Sequence, residues 1–191
     1  SVKGRPAGFR LGNNPTASSF DLELIRSTAD TGRSADVLHR RANGVAARQF
    51  AYGYEPTPSG APSALIRSIT APGTTWGLTR AYDPVHDVPT NVETAWNGVV
   101  QSRHAYQHNA VALRETSVQS GEAFADLGPI HHRFSYGSRG ELRSAYAYAG
   151  ADPASTVLPL ASRLHDYTHD AAGNRLAANP SGDAALRDHF T

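Results

Sequence analysis

Apolar and aromatic residues along this chain alternate with polar ones over short stretches, and this period of two predicts strands rather than helices. Phe20, Leu22 and Leu24 alternate with Asp21 and Glu23. From Ala64 to Thr70, Leu65, Arg67 and Ile69 oppose Ile66 and Ser68. From Glu141 to Tyr148 the alternation places Leu142, Ser144, Tyr146 and Tyr148 on one face. A further strand is expected from Val111 to Val118. The best helical candidate runs from Ser34 to Gln49, where Val37, Leu38, Val45 and Ala46 form a poor stripe broken by Gly44. Gly4 to Ser19, Pro56 to Pro62, Ala149 to Thr156 and Asn179 to Asp183 read as loop, and Asn97-Gly98 as a tight turn.

An internal repeat organises these elements. Five segments carry a ring, a spacer, a second ring and then a turn former: Tyr52-Gly53-Tyr54-Glu55, Arg80-Ala81-Tyr82-Asp83, Tyr106-Gln107-His108-Asn109, Phe134-Ser135-Tyr136-Gly137 and Tyr167-Thr168-His169-Asp170. In the second segment Arg80 stands in the first ring's place. The turn formers recur at intervals of 28, 26, 28 and 33 residues. An arginine precedes most ring pairs, at Arg48, Arg103, Arg133 and Arg163. Rings at i and i+2 share a strand face, where aromatics pack well and pair across strands.

Each ring pair needs a turn behind it so that the chain can double back. Asp170-Ala171-Ala172-Gly173 suits a type I turn closed by a glycine of positive φ. Gly140 offers the same closing residue in the fourth segment. The third keeps the opener Asn109 but has Ala112 in the glycine's place, and the second has Pro84 after Asp83 with no closing glycine. Residues 1–45 read as a weakly patterned segment or decayed repeat, with Asp30-Thr31-Gly32-Arg33 as a turn that has lost its rings, and residues 46–191 as the hairpin repeats.

Composition narrows the picture. Hydrophobic residues are 39% of 191, so a deep core is not expected. The formal charge of +1 gives no field to attract nucleic acid. The absence of cysteine excludes disulfides, thiolate metal sites and cysteine nucleophiles. No apolar run is long enough for a membrane-spanning helix, and no signal-peptide pattern is present. The chain contains no methionine and starts at Ser1, which leads us to expect a portion of a longer polypeptide.

The run Tyr167-Thr168-His169-Asp170-Ala171-Ala172-Gly173-Asn174-Arg175-Leu176 resembles the YD-repeat consensus, with His169 in place of the second tyrosine. Phe134 to Leu142 is similar to a second copy with Gly137 for the aspartate, and Tyr106 to Arg114 to a third with Ala112 for the glycine. The resemblance to the RHS/YD-repeat family spans Ala46 to Ala178. It implies an all-β fold of tandem antiparallel hairpins in a curved or spiralling sheet, and a non-enzymatic wall segment of a secreted or bacterial cell-surface shell that encloses a toxin or other cargo. The residues that define the repeat would be Tyr52, Tyr54, Tyr82, Asp83, Tyr106, Asn109, Phe134, Tyr136, Gly140, Tyr167, Asp170, Gly173, Asn174 and Arg175. The implied partners are further repeats of the same or a neighbouring chain, joined through sheet edges, and a cargo domain. The alternative is a carbohydrate-binding or adhesion module that meets a glycan through its rings. The Asp-Pro-x-Gly-Arg-type core motif that closes such shells is missing from this sequence.

No constellation of residues points to catalysis or to a cofactor. His165 and His169 have the i, i+4 spacing of helical metal ligands, but on a strand they are too far apart for one ion. The adjacent His131 and His132 should point to opposite faces. Asp83 with Asp87 and Glu93 with Glu115 are the carboxylate pairs considered for glycoside hydrolysis, and Asp83 is explained by its turn. Gly137-Ser138-Arg139-Gly140 is a turn rather than a nucleophile elbow, and Ala149-Gly150-Ala151-Asp152 lacks the lysine of a phosphate loop.

Overall fold

The computed structural model describes residues 8–11, 22–28, 35–42, 45–57 and 62–180. The chain is all-β and its paired strands are antiparallel. Helical structure among the described residues is limited to one 3-10 turn at Glu122–Phe124. The chain divides into two compact units: residues 1–80 with 94–98, and residues 81–93 with 99–191.

In the first unit the strands are β1 (Gly8–Leu11), β2 (Leu22–Thr28), β3 (Ala35–Ala42), β4 (Val45–Pro56), β5 (Pro62–Thr70) and the start of β6 (Gly77–Tyr82). Each pairs with its neighbour in sequence. The helix expected from Ser34 to Gln49 is replaced by β3 and β4. Ala42 pairs with Val45, and Gly44, expected to break the helix, lies outside the described residues. The loop expected from Gly4 to Ser19 contains β1. Phe20 and the turn expected at Asp30 to Arg33 lie outside the described residues.

In the second unit β8 (Val99–His108), β9 (Arg114–Ser120), β10 (Ile130–Tyr136), β11 (Leu142–Ala149), β12 (Pro159–His169) and β13 (Arg175–Pro180) form a meander in chain order. The strand β7 (Pro89–Trp96) contributes residues to both units. Asn97 and Gly98 both have positive φ, 53° and 75°, the conformation of a two-residue type I′ turn. Asn179 and Pro180, expected as loop, end β13 opposite Asp166 and His165. The strand expected from Val111 begins only at Arg114, because residues 110–112 form the turn.

Cross-strand partners share a face, so the register sorts the side chains of the second unit into two faces. One carries His104, Tyr106 and His108 of β8, His132, Phe134 and Tyr136 of β10, and His165, Tyr167 and His169 of β12. The strands between contribute Ser117, Ala145 and Ala147 to that face. The opposite face holds Val118, His131, Tyr146, Tyr148 and Leu164.

The expected face of β11 needs correction. Tyr136 pairs with Leu142 while Ser135 pairs with Ser144, so Arg143 is an extra residue. This bulge turns Leu142 onto the ring face, away from Ser144, Tyr146 and Tyr148. Arg67 does the same in β5: Tyr54 pairs with Ile66 and Tyr52 with Ile69, so the two isoleucines, expected on opposite faces, share one. Among the described residues of the second unit, Ile130, Ala147, Tyr148, Leu164, Ser117 and His131 are buried.

Candidate functional site

Three hairpins of the second unit close in one way. At the third copy the Ala112 amide donates to Asn109 O at 2.9 Å and the Asn109 amide to Leu113 O at 2.9 Å. At the fourth, Gly140 donates to Gly137 O at 3.0 Å and Gly137 to Glu141 O at 2.8 Å. At the fifth, Gly173 donates to Asp170 O at 3.1 Å and Asp170 to Asn174 O at 3.0 Å. The fourth turn residue is left-handed each time: φ is 61° at Ala112, 83° at Gly140 and 89° at Gly173. A bulge follows each turn, since His108 pairs with Arg114, Tyr136 with Leu142 and His169 with Arg175, and the next register pair skips one residue. This is the three-residue hairpin loop, a type I turn plus a left-handed closing residue. The Asp83 turn differs by one residue: Asp87 takes the positive φ of 56°, and Asp83 bonds to Val88 O at 2.8 Å.

The turns are capped from their own side chains. Asn109 Oδ1 accepts from the amides of Val111 and Leu113 at 3.1 and 2.9 Å. Asp170 Oδ1 accepts from the Asn174 amide at 2.8 Å, and its Oδ2 from Asn174 Nδ2 at 2.9 Å. Those bonds, the Asn174 side chain first, hold the Asp170 carboxyl below the usual carboxylate range. Asp83 is lowered likewise by the amides of His86 and Val85, which donate to its Oδ1 at 2.8 and 2.9 Å. Gly137 has no side chain to give, and the carboxylate of Glu141 takes its place. Glu141 Oε2 accepts from the Arg139 amide at 3.1 Å, and a Cβ at position 137 would collide with that carboxylate. Arg139 then bridges to the next turn, donating to the carbonyls of Asp170, at 3.1 Å, and Ala171.

The predicted rings fall on the even-numbered strands: Tyr52 and Tyr54 on β4, Tyr82 at the end of β6, Tyr106 on β8, Phe134 and Tyr136 on β10, and Tyr167 on β12. Sequence reasoning missed that the second unit carries triads, in which His104, His132 and His165 come two residues before the first ring. The signal was present, since the same period of two extends backwards. The ring contacts run along the strands: His104 with Tyr106 at 6.4 Å, His132 with Phe134 at 6.1 Å and His165 with Tyr167 at 6.3 Å. The expected ladder of rings from strand to strand is interrupted by the small residues of β9 and β11. Arg114 caps the Tyr106 ring at 4.1 Å and Arg175 the Tyr167 ring at 5.8 Å, so equivalent arginines cover equivalent tyrosines. The Tyr136 hydroxyl donates to Arg114 O at 2.9 Å, and burial pushes its ionisation up.

Arg103 and Arg133 lie on the face opposite the rings, where Arg103 pairs with Glu93 at 3.5 Å and donates to Asn91 at 3.1 Å. His165 and His169 share the ring face four residues apart, about 13 Å along a strand. No group of three potential metal ligands occurs among the described residues. Burial, then Arg163 and His131, keeps His132 below the ordinary histidine range. His131 faces the other way, as expected for adjacent strand residues. An open groove of about 670 Å³ runs between the third and fourth turns, lined by Val111, Leu113, Glu115, Tyr136 and Arg139 among others. Its cation is already held by the neighbouring turn. The chain matches no family model and no curated protein.

Proposed function

We propose that this chain is a non-enzymatic wall segment of an RHS/YD-type repeat protein, secreted or displayed at a bacterial cell surface, whose sheet continues into further repeats around a toxin or other cargo. The observation that carries the reading is the recurrence of one hairpin closure at Asn109, Gly137 and Asp170, at spacings of 28 and 33 residues. A left-handed fourth residue and a following bulge are specific geometry, and the ring triads and arginine-capped tyrosines recur with them. Such units stack on neighbours and gain their stability from them. The few buried side chains among the described residues of the second unit suit a wall better than a free-standing globule.

Glycan binding is the weaker reading, because Tyr106 and Tyr167 each have a guanidinium over the ring, where a sugar would stack. The intact mass of the native protein tests the proposal. A mass far above 20.4 kDa supports a slice of a repeat shell, and a mass close to 20.4 kDa removes encapsulation.

A further inference from the structure

His131 is completely buried, with 0% of its surface exposed. Its Nδ1 lies 2.9 Å from the carbonyl oxygen of Gly150 and its Nε2 lies 2.9 Å from that of Ser155. Carbonyl oxygens only accept hydrogen bonds, and a neutral imidazole has one N–H and one lone pair. A neutral His131 would therefore set a lone pair against a carbonyl inside the protein, whereas an imidazolium donates to both. The ring also stacks on Tyr148 with centroids 5.2 Å apart and planes 15° apart, and the face of a tyrosine ring favours a cation.

The two carbonyls belong to the connection from β11 to β12, residues 150–158. Gly150 enters it at φ 105° with its amide on Pro129 O at 2.8 Å, and Ala149 donates to Leu158 O at 2.8 Å. His131 is the side chain that ties both halves of this connection to β10. Its charged and titratable surroundings are few. On β10, His132 points to the other face and Arg133 is exposed. From β11 comes the Tyr148 ring, with Tyr146 beyond it donating to Asp166 of β12 at 2.6 Å. From β9 the partner is Val118, and in the connection Asp152 is exposed and caps the Ala154 amide at 2.9 Å. Among the described residues His131 makes no ion pair, so the two carbonyls and the tyrosine face are what hold a charge there.

We propose that His131 is a proton-operated clamp: protonated, it holds Gly150 and Ser155 together, and loss of one proton to solvent releases one of the two carbonyls and loosens the 150–158 connection. The inference does not depend on the family reading. The direction follows from the hydrogen-bond geometry: only the protonated ring donates to both carbonyls, so both bonds are present at low pH and one is lost when the ring gives up a proton.

The test is nitrogen-15 NMR of the full chain labelled at histidine, with amide exchange of Ala149, Gly150 and Ser155 followed from about pH 5 to about pH 8, the range in which an imidazole changes charge. Both His131 nitrogens should be protonated at the acid end. Exchange of the three amides, corrected for its intrinsic pH dependence, should rise roughly tenfold or more as the proton leaves, as for a lost hydrogen bond to a charged donor. His131→Phe keeps a flat ring without donors and should exchange fast throughout. A neutral ring at the acid end, deprotonation with no change in corrected exchange, or a His131→Phe chain as protected as the wild type would overturn the proposal.

Discussion

Ala112 sits where two equivalent turns have glycine, and that difference can be measured. A left-handed backbone costs a residue with a Cβ about 1–2 kcal/mol, while alanine loses about 0.4–1 kcal/mol less unfolded-chain entropy than glycine. The net for Ala112→Gly is a gain of roughly 0.5–1 kcal/mol, and Gly140→Ala and Gly173→Ala should each lose a similar amount. Crowding does not confuse the comparison. A Cβ at Gly173 meets nothing within 4 Å, and one at Gly140 meets only Leu113 Cδ1 at an ordinary 3.7 Å. Successive turns are two strand spacings apart, about 10 Å, so the effects of the three substitutions should add. Urea denaturation reads each difference directly, and in a chain of this size 1 kcal/mol corresponds to about 2–4 °C in Tm. If Ala112→Gly destabilises the protein, or both glycine substitutions are neutral, the three closures are not equivalent and the structural basis of the repeat fails.

Three other substitutions address single features. Gly121 has φ 113° and a Cβ there would lie 2.7 Å from Gln101 O and 3.1 Å from Ser102 Cα, both backbone. Gly121→Ala should therefore cost roughly 2–4 kcal/mol in urea denaturation, and a cost under about 1 kcal/mol would contradict this strand approach. Glu141→Ala should lower stability, and adding Gly137→Asp should recover it only in that background. If urea denaturation shows Gly137→Asp stabilising the wild type as much as it stabilises Glu141→Ala, Glu141 is not the cap. The lowered Asp170 carboxyl contributes stability above the usual carboxylate range and loses it as pH falls. Asp170→Asn keeps the Oδ1 acceptor, so its melting temperature should fall below wild type near neutrality and converge with it under acid, whereas a gap unchanged with pH would exclude the charge.

Much of this fold was legible because strands and turns leave local signals. Tyr106, Phe134 and Tyr167 announced strands by their period of two, and Asp170 with Gly173 announced a turn by its chemistry. The bulges were not legible. Arg143 and Arg67 look like ordinary members of an alternating pattern, yet each is the extra residue that reverses the faces on either side of it. Whether a residue is extra depends on the partner strand, which alternation within one segment does not report. His131 was hidden for a similar reason. Its partners Gly150 and Ser155 are 19 and 24 residues away, and nothing local distinguishes it from His132. The segment from Ser34 to Gln49 failed differently: its few apolar residues fit a helical stripe as loosely as a strand, and only the pairing of β3 with β4 decides between them.

The irregular copies also bear on whether the repeat has decayed. A decaying copy loses contacts one at a time and leaves the lost partner's site unfilled. Gly137 lacks the opener side chain present at Asn109 and Asp170, yet the Glu141 carboxylate meets the Arg139 amide, the position that Asn109 serves through Val111 in its own turn. The exchange works only as a pair, because the carboxylate needs the space that a Cβ at 137 would fill. Arg139 from the same turn reaches the carbonyls of Asp170 and Ala171 and ties two repeats together. Where Gly137 offers no side chain, Glu141 serves from within the same turn, and the closure is kept at all three positions. The variation in sequence therefore reads as several side-chain solutions to one backbone geometry, as expected where neighbouring hairpins must keep fitting side by side.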